Sequence, residues 1–134
     1  PAKDEFNCIL NYAFGVLYGK VEKACVIAGL DPFVGIMHTD NYNKKSLVFD
    51  IIENYRYLAI RSVFGLFTRK KVNKSHFDAI KDGFKLNADG KKMFLEAFSE
   101  LLNKSVSYNG RNITNLDIIQ FDCHKIANRL IGKE

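Results

Sequence analysis

The chain has 134 residues, 47% of them hydrophobic, with 20 Lys+Arg against 15 Asp+Glu and a formal net charge of +5. That length suits one compact domain with a real core, and no apolar run reaches the roughly 18 residues that a membrane span needs. The basic excess fits a polyanionic partner, and three scattered cysteines without a C-x-x-C pair read as reduced packing residues of a cytoplasmic protein.

From Asp4 to Ala28, apolar residues recur at helical spacing: Phe6, Ile9, Leu10, Phe14, Leu17, Val21, Ala24 and Ala28. Asp4 and Glu5 suit the positive end of that helix, Gly29 suits its C-cap, and Asp31-Pro32 closes it in a turn. Helical periodicity begins almost at Pro1 with no initiating Met, and the chain is read as a piece of a longer protein. An apolar stretch, Gly29 to His38, ends in a histidine. Asp40 to Lys45 is a polar loop around Tyr42.

Ser46 is placed to cap a helix running to about Thr68. That helix is apolar on most of its circumference, the mark of a central bundle helix. Arg69 to Lys74 is basic and exposed. Ser75 to Lys81 makes a short helical turn, and Gly83 to Leu86 is an extended link. Asn87 caps a helix from Ala88 to about Leu102, with Met93, Phe94, Ala97, Phe98 and Leu101 inward. Ser105 to Arg111 is a connector, and Thr114 caps a last helix through Leu130. The expected fold is an all-α helical bundle of about four main helices with short helical and extended connectors, forming a single domain over residues 1–134.

The candidate chemistry lies at the start of the central helix. Asp50 sits between Phe49 and Ile51, and Glu53 follows Ile52. Three residues apart on a helix, the two acids share a face. An unpaired buried carboxylate would cost several kcal/mol or go neutral. A divalent ion shared with His38 would offset that. One imidazole with one or two carboxylates suits Mn²⁺ or Mg²⁺ better than a structural zinc. The alternative is a buried hydrogen-bonded network of His38, Asp50, Glu53 and Arg56 in a non-catalytic helical module that binds DNA or protein. A di-metal bundle enzyme is disfavoured, because such bundles use E-x-x-H pairs and the chain has none. His76 and His124 read as structural or surface residues.

Three stretches carry a resemblance. They are N-x-x-L-N-Y-A-F-G-V-L-Y from Asn7 to Tyr18, A-G-L-D-P-F-V-G-I-M-H from Ala28 to His38, and L-V-F-D-I-I-E-N-Y-R from Leu47 to Arg56. In this order they resemble the C-terminal helical domain of the CRISPR-associated adaptation integrases, the Cas-one family. Leu86 to Phe98 resembles a weaker signature of the same family. The resemblance implies that His38 and Glu53 are metal ligands and that Asp50 helps hold the metal or orient the site. It implies that Arg56 contacts phosphate or pairs with the acids. The family usually has Pro after that arginine, where this chain has Tyr57.

The resemblance also implies a metal-dependent DNA endonuclease and integrase that inserts spacer DNA into a CRISPR array by transesterification, with Mn²⁺ or Mg²⁺ as cofactor. Its partners would be double-stranded DNA (prespacer and CRISPR repeat) and the small ferredoxin-like adaptation partner, the Cas-two family. The full-length protein would be a homodimer. The family's third ligand is a Glu on an earlier helix, and no residue here matches its motif. Its N-terminal β-rich domain has no counterpart either, so the fragment is expected to be inactive alone. For the duplex backbone, Arg61, Arg69, Lys70, Lys71, Lys74, Lys81 and Lys85 form the densest basic stretch. Tyr12, Tyr18 and Tyr42 are candidates for stacking on DNA ends.

Overall fold

A computed structural model of the chain describes residues 1–32 and 46–132. Among them are five α-helices, one 3₁₀ turn and two antiparallel hairpins: α1 (Glu5–Ile27), α2 (Ser46–Ile52), α3 (Arg56–Thr68), the 3₁₀ turn Lys74–His76, β1 (Phe77–Ile80), β2 (Gly83–Leu86), α4 (Ala88–Leu102), β3 (Ser105–Tyr108), β4 (Arg111–Thr114) and α5 (Asn115–Leu130). The mainly helical class is as the periodicity predicts. The chain divides into two compact units, Pro1–Val16 with Arg56–Leu102, and Leu17–Tyr55 with Asn103–Glu134. The first half of α1 belongs to the first unit and the second half to the other.

Capping explains where α1 begins and ends. Asp4 Oδ1 accepts the Asn7 backbone N–H at 2.8 Å, satisfying a helix-start donor. That bond, with a second from the Asn7 side chain, holds the Asp4 carboxyl below its ordinary value. At the far end, Leu30 N–H bonds Cys25 O at 2.9 Å and Gly29 N–H bonds Val26 O at 3.0 Å. This paired closure needs a left-handed residue, and Gly29 supplies it at φ 83.

In the first unit, Ile9 and Ala13 of α1, Leu58, Val63 and Leu66 of α3, and Phe94, Phe98 and Leu102 of α4 are buried. Phe94 and Phe98 stack at 5.2 Å, and Tyr12 meets Phe94 edge-on at 5.7 Å. Phe6 packs on Phe64 and Phe67 at 5.2 and 5.5 Å. The Cys8 thiol reaches Phe84 O at 3.5 Å, and its burial pushes the thiol up.

Asn87 Oδ1 caps α4 by accepting the Gly90 N–H at 2.9 Å. A Cβ on Gly90 would lie 2.5 Å from His76 O and 2.5 Å from Leu86 Cδ1. Ala is intrinsically better than Gly in a helix by about 1 kcal/mol, but one of the groups in the way is backbone. Gly90→Ala is therefore expected to destabilise by roughly 1–3 kcal/mol, read as a lower urea midpoint. A raised midpoint would show that the His76 carbonyl does not approach so closely.

In the second unit, Leu17, Val21 and Cys25 of α1 are buried with Leu47, Val48 and Ile51 of α2 and Ile119 and Cys123 of α5. Tyr18 packs on Phe49 at 5.3 Å. Cys25 and Cys123 meet thiol to thiol at 4.0 Å, and that contact, with burial, pushes the Cys123 thiol up. All three cysteines are free and buried, as their scatter predicts. Thr114 Oγ1 accepts the Asp117 N–H at 3.0 Å and so starts α5 where expected.

Four local readings are corrected. The helix expected over Ser46–Thr68 is two helices. At 53–55 the i→i+3 bonds Asn54 N–H to Ile51 O (3.0 Å) and Tyr55 N–H to Ile52 O (2.9 Å) replace the α-helical pattern. The apolar circumference is not wholly buried: Phe49, Tyr57, Ile60 and Phe64 are 41, 46, 36 and 54% exposed. The turn expected at Ser75–Lys81 shortens to Lys74–His76, and Phe77–Ile80 instead pairs with Gly83–Leu86. The connector Ser105–Arg111 is mostly hairpin, Ser105 opposite Thr114 and Tyr108 opposite Arg111. Among the described residues, no helix is long and apolar enough to cross a membrane.

Candidate active site

α2 is a seven-residue helix whose Leu47, Val48, Ile51 and Ile52 are all buried. Those four side chains form one stripe that fixes the helix against its unit, and Asp50, off that stripe, is also buried, 7% exposed. Glu53 is the first residue past the helix end and is exposed, not buried as the continuous-helix reading required. The two carboxylates therefore straddle the end of α2, one inside and one facing solvent. Asp50, Glu53 and Arg56 each engage another group of the protein.

His38 and Tyr42 lie outside the described residues. The chain on either side of them is tied together, because Leu47 N–H donates to Pro32 O at 3.2 Å. Arg56 is exposed and begins α3, its guanidinium 4.7 Å from the centre of the Phe14 ring. Arg61 is likewise exposed and lies 5.5 Å over the Tyr57 ring. Arg69, Lys70, Lys71 and Lys74 are all exposed where α3 ends, with Lys70 in the left-handed region at φ 55. Lys81 and Lys85 are exposed on the β1–β2 hairpin. Tyr12 and Tyr18 are half-buried and each packs against a ring of the protein, Phe94 and Phe49. His76 Nδ1 accepts the Asn73 N–H at 3.0 Å, and a ring nitrogen of His124 lies 3.2 Å from Gln120 Nε2.

The chemistry of the donors sets what could bind. Among the described residues, no group of three or more His, Cys, Asp or Glu stands ready for a metal. The acids at the end of α2 offer oxygen only, while the thiols are buried in the cores. Oxygen donors fit a hard divalent ion such as Mg²⁺ or Mn²⁺ and do not fit a thiolate zinc site. A cleft of about 430 Å³ in the second unit is lined by Leu30, Asp31, Leu47 and residues of α5. Asp50 and Glu53 do not line it, so it is not the carboxylate site.

One cluster in the second unit was not read from the sequence. The Tyr55 phenol donates to Asp122 Oδ2, and the Tyr108 phenol donates to Asp122 Oδ1 at 3.1 Å. Lys125 Nζ donates to the Tyr108 oxygen at 3.1 Å. Burial pushes the Asp122 carboxyl above its ordinary value, with the Lys125 ammonium pulling the other way. The only sequence signal was the i, i+3 spacing of Asp122 and Lys125 on α5, which surface ion pairs share.

The family described as CRISPR associated protein Cas1 matches residues 1–100. The chain is 28% identical over 137 residues to a CRISPR-associated endonuclease Cas1 of Thermotoga maritima, covering 100% of this chain and 43% of that protein. It is 29% identical over 133 residues to one from Archaeoglobus fulgidus, covering 98% and 39%. Among solved structures it is similar to a casposase bound to integration product, with TM-score 0.91 and 30% identity over 98% of this chain and 39% of that one. The chain spans about two-fifths of the length of the relatives it matches.

Proposed function

The chain belongs to the CRISPR-associated protein Cas1 family, and from that premise we propose that it is the C-terminal catalytic domain of a DNA endonuclease and integrase. The reaction inserts spacer DNA into a CRISPR array by phosphodiester transesterification. The observation that carries this reading is the pair Asp50 and Glu53 straddling the end of α2, where the L-x-x-D-x-x-E motif of the resembled family falls. The likeness to a casposase bound to its integration product supports the same reaction class.

His38, Glu53 and Asp50 would hold Mn²⁺ or Mg²⁺, with a further ligand from the rest of the protein. Such an ion supplies Lewis acidity at the target phosphodiester. His38 follows Pro32 by six residues, a span of at most roughly 20 Å. The Leu47–Pro32 bond brings the two described ends of that stretch together, which supports a return of the intervening chain toward α2. Glu53 is exposed past the helix end, while the burial of Leu47, Val48, Ile51 and Ile52 fixes α2 itself.

Arg56, Arg61, Arg69, Lys70, Lys71 and Lys74 grip the duplex backbone. With the strands held, a 3′-hydroxyl oxygen of the incoming DNA bonds to the target phosphorus and gives up its proton to solvent, and the bridging oxygen on the opposite side leaves with its electron pair and takes up a proton. One phosphodiester is exchanged for another, so no energy source is consumed. Catalysis is mainly positioning and charge stabilisation. The partners proposed are prespacer and repeat duplex DNA, the small ferredoxin-like Cas-two partner and, in the full-length protein, a second copy. No membrane partner is proposed.

The test is strand transfer by the full-length protein, with a labelled prespacer and a plasmid carrying a CRISPR repeat. Joined product is expected with Mn²⁺ or Mg²⁺ and is lost with a chelator. Removing one phosphate-contacting lysine should make the salt dependence of binding shallower by about one log-log unit. DNA binding with neither joining nor nicking at any divalent ion would leave a non-catalytic binding module.

A further inference from the structure

Tyr55 ends the turn that carries Glu53. Its side chain is buried, 3% exposed, and its phenol donates to one oxygen of Asp122. The second oxygen of Asp122 accepts from Tyr108 on β3 at 3.1 Å. Tyr108 in turn accepts from Lys125 Nζ at 3.1 Å, and that ammonium sits 5.3 Å from the centre of its ring. A line of four polar side chains thus runs from the α2–α3 turn to the hairpin and the surface of α5, all within the second unit.

Packing alone does not require this arrangement. Phenylalanine would fill the volume of either tyrosine, and a half-buried carboxylate is costly unless it is hydrogen-bonded. What the polar line adds is direction. A carboxylate with both oxygens engaged allows the Tyr55 phenol one position, and Tyr55 is two residues from Glu53. Two short-range backbone bonds, Asn54 to Ile51 and Tyr55 to Ile52, shape the turn between them.

We propose that Asp122 is a positioning residue for the catalytic carboxylate. It holds Tyr55, and through Tyr55 the turn that aims Glu53, while Tyr108 and Lys125 hold Asp122. The inference rests on the reading of Glu53 as a metal ligand. Groups that orient ligands from behind typically change metal affinity or activity by about 10–100-fold when removed.

The experiment compares Tyr55→Phe, Asp122→Asn, Asp122→Glu and Glu53→Ala in the full-length protein. Mn²⁺ binding is followed by calorimetry, strand transfer is resolved into kcat and KM, and amide exchange is measured at residues 53–55. Tyr55→Phe and Asp122→Asn are expected to weaken Mn²⁺ binding and lower kcat, each by roughly 10-fold. KM for DNA should be unchanged, exchange at 53–55 faster, and Asp122→Glu partly restored. Tyr55→Phe keeps the ring and so the fold, which covers the case where Asp122→Asn does not fold. If Glu53→Ala loses the ion while Tyr55→Phe and Asp122→Asn bind it like the parent, the positioning role is overturned and the ligand role stands. If Glu53→Ala binds Mn²⁺ like the parent, the ligand role fails and this inference fails with it.

Discussion

Glu53→Ala in the full-length protein is expected to lower strand transfer by roughly 10³-fold or more, because a ligand of a Lewis-acid ion supports several kcal/mol of transition-state stabilisation. The same change should leave Tm almost where it was. Glu53 is exposed and past the end of α2, and an interaction made by an exposed charged side chain is typically worth about 0–1 kcal/mol. Asp50→Ala should behave differently. Asp50 is only 7% exposed, so its loss changes packing and charge balance together. The contrast separates a residue kept for chemistry from one that also serves the fold. Activity within a few-fold of the parent for Glu53→Ala would remove Glu53 from the reaction.

Phe94→Ala is expected to be the most damaging single change to the fold, at about 3–5 kcal/mol. Phe94 is fully buried, stacks on Phe98 at 5.2 Å and meets the Tyr12 ring near-perpendicular at 5.7 Å. Ala would remove the ring from both contacts and leave a cavity that helix α4 cannot close without moving. In a domain of this size the loss corresponds to a fall in Tm of roughly 10–20 °C. Phe94→Leu keeps most of the volume and should cost much less. A thermal scan of both variants decides it, and similar Tm values for Phe94→Ala and the parent would show that this cluster does not hold the first unit together.

The helices were largely legible because capping and periodicity act locally. Asp4, Gly29, Asn87 and Thr114 all terminate helices where expected, since each satisfies backbone groups of its own turn. What the pattern missed is decided by partners far along the chain. The apolar run from Leu47 to Phe67 reads as one helix, yet it breaks at 53–55, and the Tyr55 phenol is bonded to Asp122 on α5. One local hint existed: the resembled family places Pro where Tyr57 stands, and proline is tolerated in the first turn of a helix such as α3.

The hairpin β3–β4, expected as a connector, also carries a local turn signal. Asn109-Gly110 lies between alternating residues, and both take positive φ, 51 and 79, as a two-residue hairpin turn demands. For the site, sequence gave the residue types and motif order. Burial then divided the acids, placing Asp50 inside and Glu53 at the surface. A continuous helix could not have told them apart.

The most direct test of the central claim is a crystal of the full-length protein soaked with Mn²⁺, recorded at a wavelength where manganese scatters anomalously. The account predicts a peak about 2.2 Å from a His38 ring nitrogen and from a Glu53 carboxylate oxygen. Asp50 should lie beside it and waters or a further acid should complete the shell. No peak there at saturating Mn²⁺, with Glu53 held by another side chain and His38 turned away, would contradict it.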